Sequence, residues 1–231
     1  MKRFFFFFIV LFSFSTALIQ GQENASRYLE LFAKKYSGLK DYTADVRVHF
    51  DIEALKAPDM QAKLYYKSPD KMKAVSKGIF FFPRQGGYLN PSMFKPEDFD
   101  VRLLEHLTVN GRKAVRLQLI PKEIKRDNQK FVLTIDTDRN LIMKIDTLTV
   151  DGREIRAAID YGKFGDFELP THIVLQFDAP PAETNETKEP IPFAQRGKQV
   201  TGKIEIAYSN YKVNSGLSDE IFEETDSLKL N

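Results

Sequence analysis

Residues Ala62–Pro83 read AKLYYKSPDKMKAVSKGIFFFP, and this stretch decides the fold. Ala62, Leu64 and Tyr66 fall on one side while Lys63, Tyr65 and Lys67 fall on the other, the two-residue period of a strand with one buried face. Pro69 has no amide proton to give a ladder, so the strand stops at Ser68-Pro69-Asp70 and the chain turns. A second alternating strand follows, and Ile79–Pro83 adds an aromatic run.

Upstream, Tyr42, Ala44, Val46, Val48, Phe50 and Ile52 alternate with Thr43, Asp45, Arg47, His49, Asp51 and Glu53, a long strand that requires a curved sheet. Pro58-Asp59 turns it back into Ala62–Pro83. Before it, Tyr28, Phe32 and Tyr36 recur every four residues, with Leu29 and Leu39 widening the stripe. This predicts a helix over Asn24–Leu39, capped by Asn24 or Ser26 and ended at Gly38.

Downstream, Asn110-Gly111 and Asp151-Gly152 each separate two alternating runs. Both dipeptides tolerate the positive backbone angles of two-residue hairpin turns, so an antiparallel meander is expected. Phe131, Leu133 and Ile135 alternate, Asp138-Arg139-Asn140 turns, and Leu141, Met143 and Ile145 alternate again. Further strands follow at Ile173–Phe177 and Gln199–Val213, then a short turn of helix near Leu217–Phe222 with Ser218 as its cap. The proline- and glutamate-rich residues 179–198 between them predict a flexible loop. Arg84–Phe99 is apolar but broken by Gly86-Gly87, Pro91 and Pro96; the sequence leaves open whether it folds over the core or forms a mobile cover.

Residues 1–21 read as a secretory signal: Lys2 and Arg3 precede the apolar run Phe4–Phe14, and small residues near Ala17 or Gly21 suit cleavage. The run is shorter than the ~20 apolar residues a membrane span needs. The chain has no cysteine, so neither a disulfide nor a lipid on a cysteine near the cleavage site is available. A soluble, exported, single domain over residues 22–231 is expected. Removing the signal takes the formal charge from +2 to about zero, which excludes the basic stripe of a nucleic-acid binder.

No constellation carries catalysis. His49, His106 and His172 lack the spacing and partners of a zinc site, and neither a nucleophile elbow, a phosphate loop nor a dinucleotide glycine signature occurs. Asp136, Asp138 and Asn140 have the opening spacing of a calcium loop, but Leu141 stands where its glycine belongs and Thr147 where its last acid belongs. That segment reads as a hairpin turn. No enzyme activity, metal or cofactor is expected. What stands out is the surplus of inward apolar positions, which either fill a core or, where a sheet curls around a helix, line a site for an acyl chain.

The order of elements resembles the outer-membrane lipoprotein-sorting family, with its LolA/LolB-like fold. The likeness rests on the helix followed by the Tyr42 strand, Leu64-Tyr65-Tyr66-Lys67-Ser68-Pro69-Asp70, Leu117-Gln118-Leu119-Ile120-Pro121-Lys122, Phe131–Asp136, and Asp151-Gly152-Arg153. Ser68 stands where the family places a lid-holding arginine, and serine lacks the guanidinium's fork of donors. The resemblance implies a mainly β (α+β) fold: an open antiparallel β-barrel or strongly curved sheet around an N-terminal helix and short lid segments. It implies a periplasmic carrier, a monomer, that takes lipid or lipoprotein acyl chains and meets inner- and outer-membrane handover proteins. The chain would contact Tyr28, Phe32, Val46, Val48, Phe50, Leu64, Tyr66, Phe81, Leu117, Leu119, Leu133 and Met143. The alternative on the same fold is an envelope-stress sensor or another non-carrier module that reads lipid or acylated protein.

Overall fold

A computed structural model describes residues 16–52, 57–78, 80, 91–123, 130–148, 154–179 and 200–223. The chain begins with helix α1 (Thr16–Lys35) and continues into strands β1 (Asp41–Ile52), β2 (Met60–Lys67) and β3 (Lys71–Val75). Two 3₁₀ turns, Pro91–Phe94 and Pro96–Asp98, lead into β4 (Phe99–Val109), β5 (Arg112–Pro121), β6 (Lys130–Asp136) and β7 (Leu141–Leu148). β8 (Glu154–Phe164), β9 (Phe167–Ala179) and β10 (Val200–Val213) follow, and a last 3₁₀ turn spans Asp219–Phe222.

Among the described residues the strands form one ten-stranded antiparallel sheet in the order β3-β2-β1-β10-β9-β8-β7-β6-β5-β4. Consecutive strands are neighbours except β3 and β4, and β10 returns beside β1, so the sheet is a meander with the N-terminal strands appended to its last strand. β3 and β4 are its two edges and do not pair with each other. The result is the open curved sheet that the alternating pattern predicts.

Alternation places the interior. Val46, Val48 and Phe50 of β1 pair with Tyr208, Ile206 and Ile204 of β10, and all six are buried. Leu117 and Leu119 of β5 pair with Leu133 and Phe131 of β6 to line the far side of the same core. The helix contributes Ala25, Leu29 and Phe32, spaced so that they share one face, with Tyr36 just past its end, and all four are buried. It lies against β4 and the two 3₁₀ turns that precede that strand, which lids the β4 edge of the sheet.

The expected helix start and end both shift. The helix runs from Thr16, so Ser26 lies inside it instead of capping it, and it stops at Lys35. Beyond Lys35 the chain tightens into a turn, with Leu39 N–H donating to the Tyr36 carbonyl at 3.0 Å. Asn110 (φ 49°) and Gly111 (φ 77°) take the positive angles expected of their turn. The turn at Asp138–Asn140 also forms, with the buried Asp136 Oδ1 accepting from the Asp138 and Arg139 amides at 3.0 Å each. The Asp151-Gly152 turn, the first fifteen residues and most of 179–198 lie outside the described residues.

Candidate functional site

The two ends of the sheet differ. At one end the connections are tight: 68–70, 110–111, 137–140 and 165–166. At the other lie the longer connections 53–59, 76–98, 122–129 and 180–199, together with 149–153. We call the first the closed end and the second the mouth.

Tyrosines fill the closed end. Tyr42 stacks on Tyr66 with ring centroids 4.9 Å apart, Tyr211 lies 5.4 Å from Tyr42, and Phe164 lies 4.5 Å from Tyr211. A buried phenol needs a hydrogen-bond partner, and three at this end find a carbonyl. Tyr161 donates to Ile142 O at 2.8 Å, Tyr211 to Pro170 O at 2.8 Å, and Tyr36 to Glu168 O at 2.7 Å. Burial pushes the pKa of all three upward, and neighbouring phenols and the Glu168 carboxylate add to the effect at Tyr36, so they remain neutral donors.

A charge cluster pins the helix to this end. Lys35 Nζ at the C-terminus of α1 donates to Glu168 Oε2 at 2.6 Å and to the Arg139 carbonyl at 3.0 Å. Arg139 Nε donates to Glu168 Oε1 at 2.9 Å, and a second Arg139 nitrogen reaches the same oxygen. Burial opposes ionisation of Glu168, but the hydrogen bonds and charges of Lys35 and Arg139 outweigh it and hold the carboxyl below its ordinary value. Three elements are tied here: α1, the β6–β7 turn and the start of β9.

Towards the mouth the lining becomes mainly apolar, with Thr147 buried beside Phe131. Phe94, from the 3₁₀ turn beside the helix, is buried with its ring centroid 5.4 Å from Phe131 and 6.1 Å from Phe99. The described part of Arg84–Phe99 is therefore folded over the core. Gly202 of β10 lies under Phe177 and Ile52; a Cβ there would come within 2.7 Å of one and 2.8 Å of the other. A hollow of about 270 Å³ opens at the rim beside it, lined by Glu154, Arg156, Gln176, Phe177, Thr201, Gly202 and Lys203.

The sequence-predicted lining largely converges. Phe32, Val46, Val48, Phe50, Leu64, Tyr66, Leu117, Leu119 and Leu133 are buried in one cluster, and Tyr28 packs against it half-buried. Tyr66 belongs to the tyrosine plug, where its hydroxyl donates to Pro69 O at 3.1 Å. Met143 sits where the β6–β7 register shifts and is half-buried outside that cluster. Phe81 lies outside the described residues. The Lys35–Arg139–Glu168 cluster and the plug were not singled out from sequence. Lys35 and Glu168 are 133 positions apart, and only topology joins them; the one local signal was Phe164-Gly165-Asp166-Phe167, a hairpin turn with Gly165 at φ 60° that brings β9 to start at Phe167.

Two of the three histidines face carboxylates outside the core. His49 Nδ1 lies 2.7 Å from Asp59 Oδ1, His172 lies within 3.9 Å of Asp160 and 3.7 Å of Glu205, and His106 is exposed. Among the described residues no three side chains of metal-ligating type cluster, and no helix is long and apolar enough to cross a membrane.

An open antiparallel sheet curled over an N-terminal helix defines the fold class, and solved structures share it. The chain is similar to a domain named for outer membrane lipoprotein sorting from Vibrio parahaemolyticus, at 12% identity and a TM-score of 0.61, covering 87% of this chain and 97% of that one. It is equally similar to a DUF1329 family protein from Desulfovibrio piger: 12% identity, TM-score 0.61, covering 88% and 97%. A LolA superfamily protein from Nitrosomonas europaea gives 13% identity and a TM-score of 0.53, covering 87% and 97%. The chain thus has the LolA-type fold, as its sequence resemblance implies. No protein-family model matches it, and no curated protein does.

Proposed function

We propose that the protein is a periplasmic carrier that receives a lipid or the acyl chains of a lipoprotein through the mouth of the sheet and delivers them towards the outer membrane. The observation that carries this reading is the asymmetry of the interior. Polar groups with fixed hydrogen bonds seal one end, while the other is lined by Phe50, Ile52, Phe94, Phe99, Phe131 and Phe177. An acyl chain asks for such a lining, because it offers no hydrogen bonds and is held by burial alone.

Burying each methylene is worth ~0.8 kcal/mol, so twelve methylenes give about 10 kcal/mol before the costs of ordering the chain and of moving what now fills the space. In this structure the helix residues Leu29 and Phe32 occupy the interior. Loading therefore requires the mouth half of α1 to lift while Lys35 and Tyr36 stay held. Residues 1–21 act as the export signal, and the carrier works as a monomer with transient membrane-protein contacts.

Native mass spectrometry and lipid extraction of the protein purified from its own periplasm test this. The expected result is a co-purifying acylated species that leaves on delipidation and rebinds stoichiometrically. A protein that emerges without lipid and takes up neither fatty acid nor acylated peptide would overturn it.

A further inference from the structure

We propose that the outward face of the β2–β3 hairpin, with the free edge of β3, is a docking surface for an acidic, extended segment of a partner protein. Among the described residues β3 pairs only with β2, so alternate backbone groups along Lys71–Val75 are available to one more strand. The register sets Lys63, Tyr65 and Lys67 beside Val75, Lys73 and Lys71, on the face opposite the buried Leu64 and Tyr66. Four lysines thus surround one tyrosine on two neighbouring strands, and Val75 stands half-exposed at the far end.

The chain itself shows what this surface takes. Its C-terminal stretch Leu217–Glu223 lies against the hairpin, and a single carboxylate, Asp219, answers Lys67 at 3.0 Å and Lys71 at 2.8 Å. Lys67 Nζ also donates to the Leu217 carbonyl at 2.8 Å, and Lys73 Nζ to the Glu223 carbonyl at 3.3 Å. Carboxylates and main-chain carbonyls together are what a polypeptide offers. A bilayer of anionic headgroups would meet the lysines but has no backbone with which to extend the sheet. A second copy of this chain is disfavoured, because edge-to-edge pairing of two β3 strands sets lysine against lysine. An extended segment with acids at alternate positions satisfies both the edge and the lysines, as in other strand-addition complexes. It would compete with Asp219, so the C-terminal turn acts as a built-in occupant. This surface lies outside the apolar interior, and the inference stands whether or not that interior carries an acyl chain.

The test uses the full chain and a fluorescein-labelled synthetic peptide of alternating glutamate and valine, read by anisotropy, with amide exchange mapped on the complex. Binding should weaken at least tenfold in the surface double variant K71E/K73E and in high salt, and tighten severalfold in D219N, which removes the internal competitor. Exchange should slow at alternate amides of Lys71–Val75. Equal affinity for K71E/K73E and the native chain, or unprotected β3 amides in the complex, would overturn the proposal. So would co-sedimentation with phosphatidylglycerol vesicles through these lysines in a protein that ignores the peptide.

Discussion

Replacing Glu168 with glutamine should release the C-terminal end of α1 from the closed end of the sheet. The native carboxylate accepts from Lys35 Nζ at 2.6 Å and from Arg139 Nε at 2.9 Å. The Lys35 and Glu168 side chains are only about a quarter exposed, at 25% and 24%, so solvent screens the cluster far less than a surface pair. Glutamine keeps one oxygen for Arg139 but sets an amide donor against the Lys35 ammonium. Hydrogen bonds to charged groups are worth about 1.5–3 kcal/mol, and surface pairs below about 1, so a loss of about 2 kcal/mol is expected. At a urea dependence of about 2 kcal/mol per molar, the unfolding midpoint should fall by about 1 M. The pH dependence gives a second check. The folded-state pKa of Glu168 is depressed, so its stabilisation is complete above the unfolded value of about 4.3 and is lost as pH falls through the folded value. The gap between native protein and E168Q should therefore be constant from neutrality down to about pH 5 and close below about pH 4. Amide exchange along α1 should quicken at neutral pH. A native-like midpoint for E168Q, or a gap that persists unchanged in acid, would refute the clamp.

Gly202→Ala places a methyl within 2.7 Å of Phe177 Cζ and 2.8 Å of Ile52 Cγ1; forcing those groups aside should cost about 1–3 kcal/mol, seen as a lower thermal midpoint. A variant as stable as the native chain would show that the mouth yields freely there. Asp41→Ala removes the buried carboxylate that accepts from the Ser215, Gly216 and Leu217 amides at 2.8, 3.0 and 3.3 Å. It should cost about 2 kcal/mol and let the C-terminal turn leave Lys67 and Lys71, so exchange at Ser215–Leu217 should rise by well over tenfold. Because that turn competes for Lys67 and Lys71 through Asp219, the same variant should also bind the acidic peptide more tightly.

The strands were legible because their signal is local. Val46, Val48 and Phe50 against Arg47, His49 and Asp51 can be read from six consecutive residues, and the positive angles of Asn110 and Gly111 from two. Long-range electrostatics were not legible. Asp41 reads as one more outward polar residue of β1, yet it is buried because β10 returns beside β1 and delivers Ser215–Leu217 to its carboxylate. Asn214 completes the same join, its side-chain oxygen accepting from Lys40 N at 2.8 Å and its amide donating to Gly38 O at 2.9 Å. Pro170 is another case. The strand expected at Ile173–Phe177 in fact begins at Phe167 and runs through Pro170, because a register shift between Asp160 and Tyr161 accommodates the missing donor. The interior lining was legible for the same reason as the strands, and Met143 escaped the pattern because the bulge there breaks the two-residue period.

The position of the clamp bears on how such a fold could open. In the resembling family the latch is an arginine beside the proline of the β2–β3 turn, and Ser68 occupies that place here. Its amide donates to Lys40 O at 2.8 Å, a structural bond between the β2–β3 turn and the segment entering β1. The directional contacts on the helix lie elsewhere, at Lys35 and Tyr36, on the closed end. Away from that end, the partners of α1 are β4 and the two 3₁₀ turns, the first of which carries the buried Phe94. Hydrogen bonds and ion pairs break when their atoms part by an ångström or so, whereas apolar contacts re-form against any chain of similar width. On the proposed carrier reading, a helix bonded in this way should pivot at its C-terminus and part from the sheet at its N-terminal half, so that the space it opens is widest at the mouth. On that reading the charged cluster serves as the hinge of the helix and not as its latch, and weakening it should loosen the fold before it eases loading.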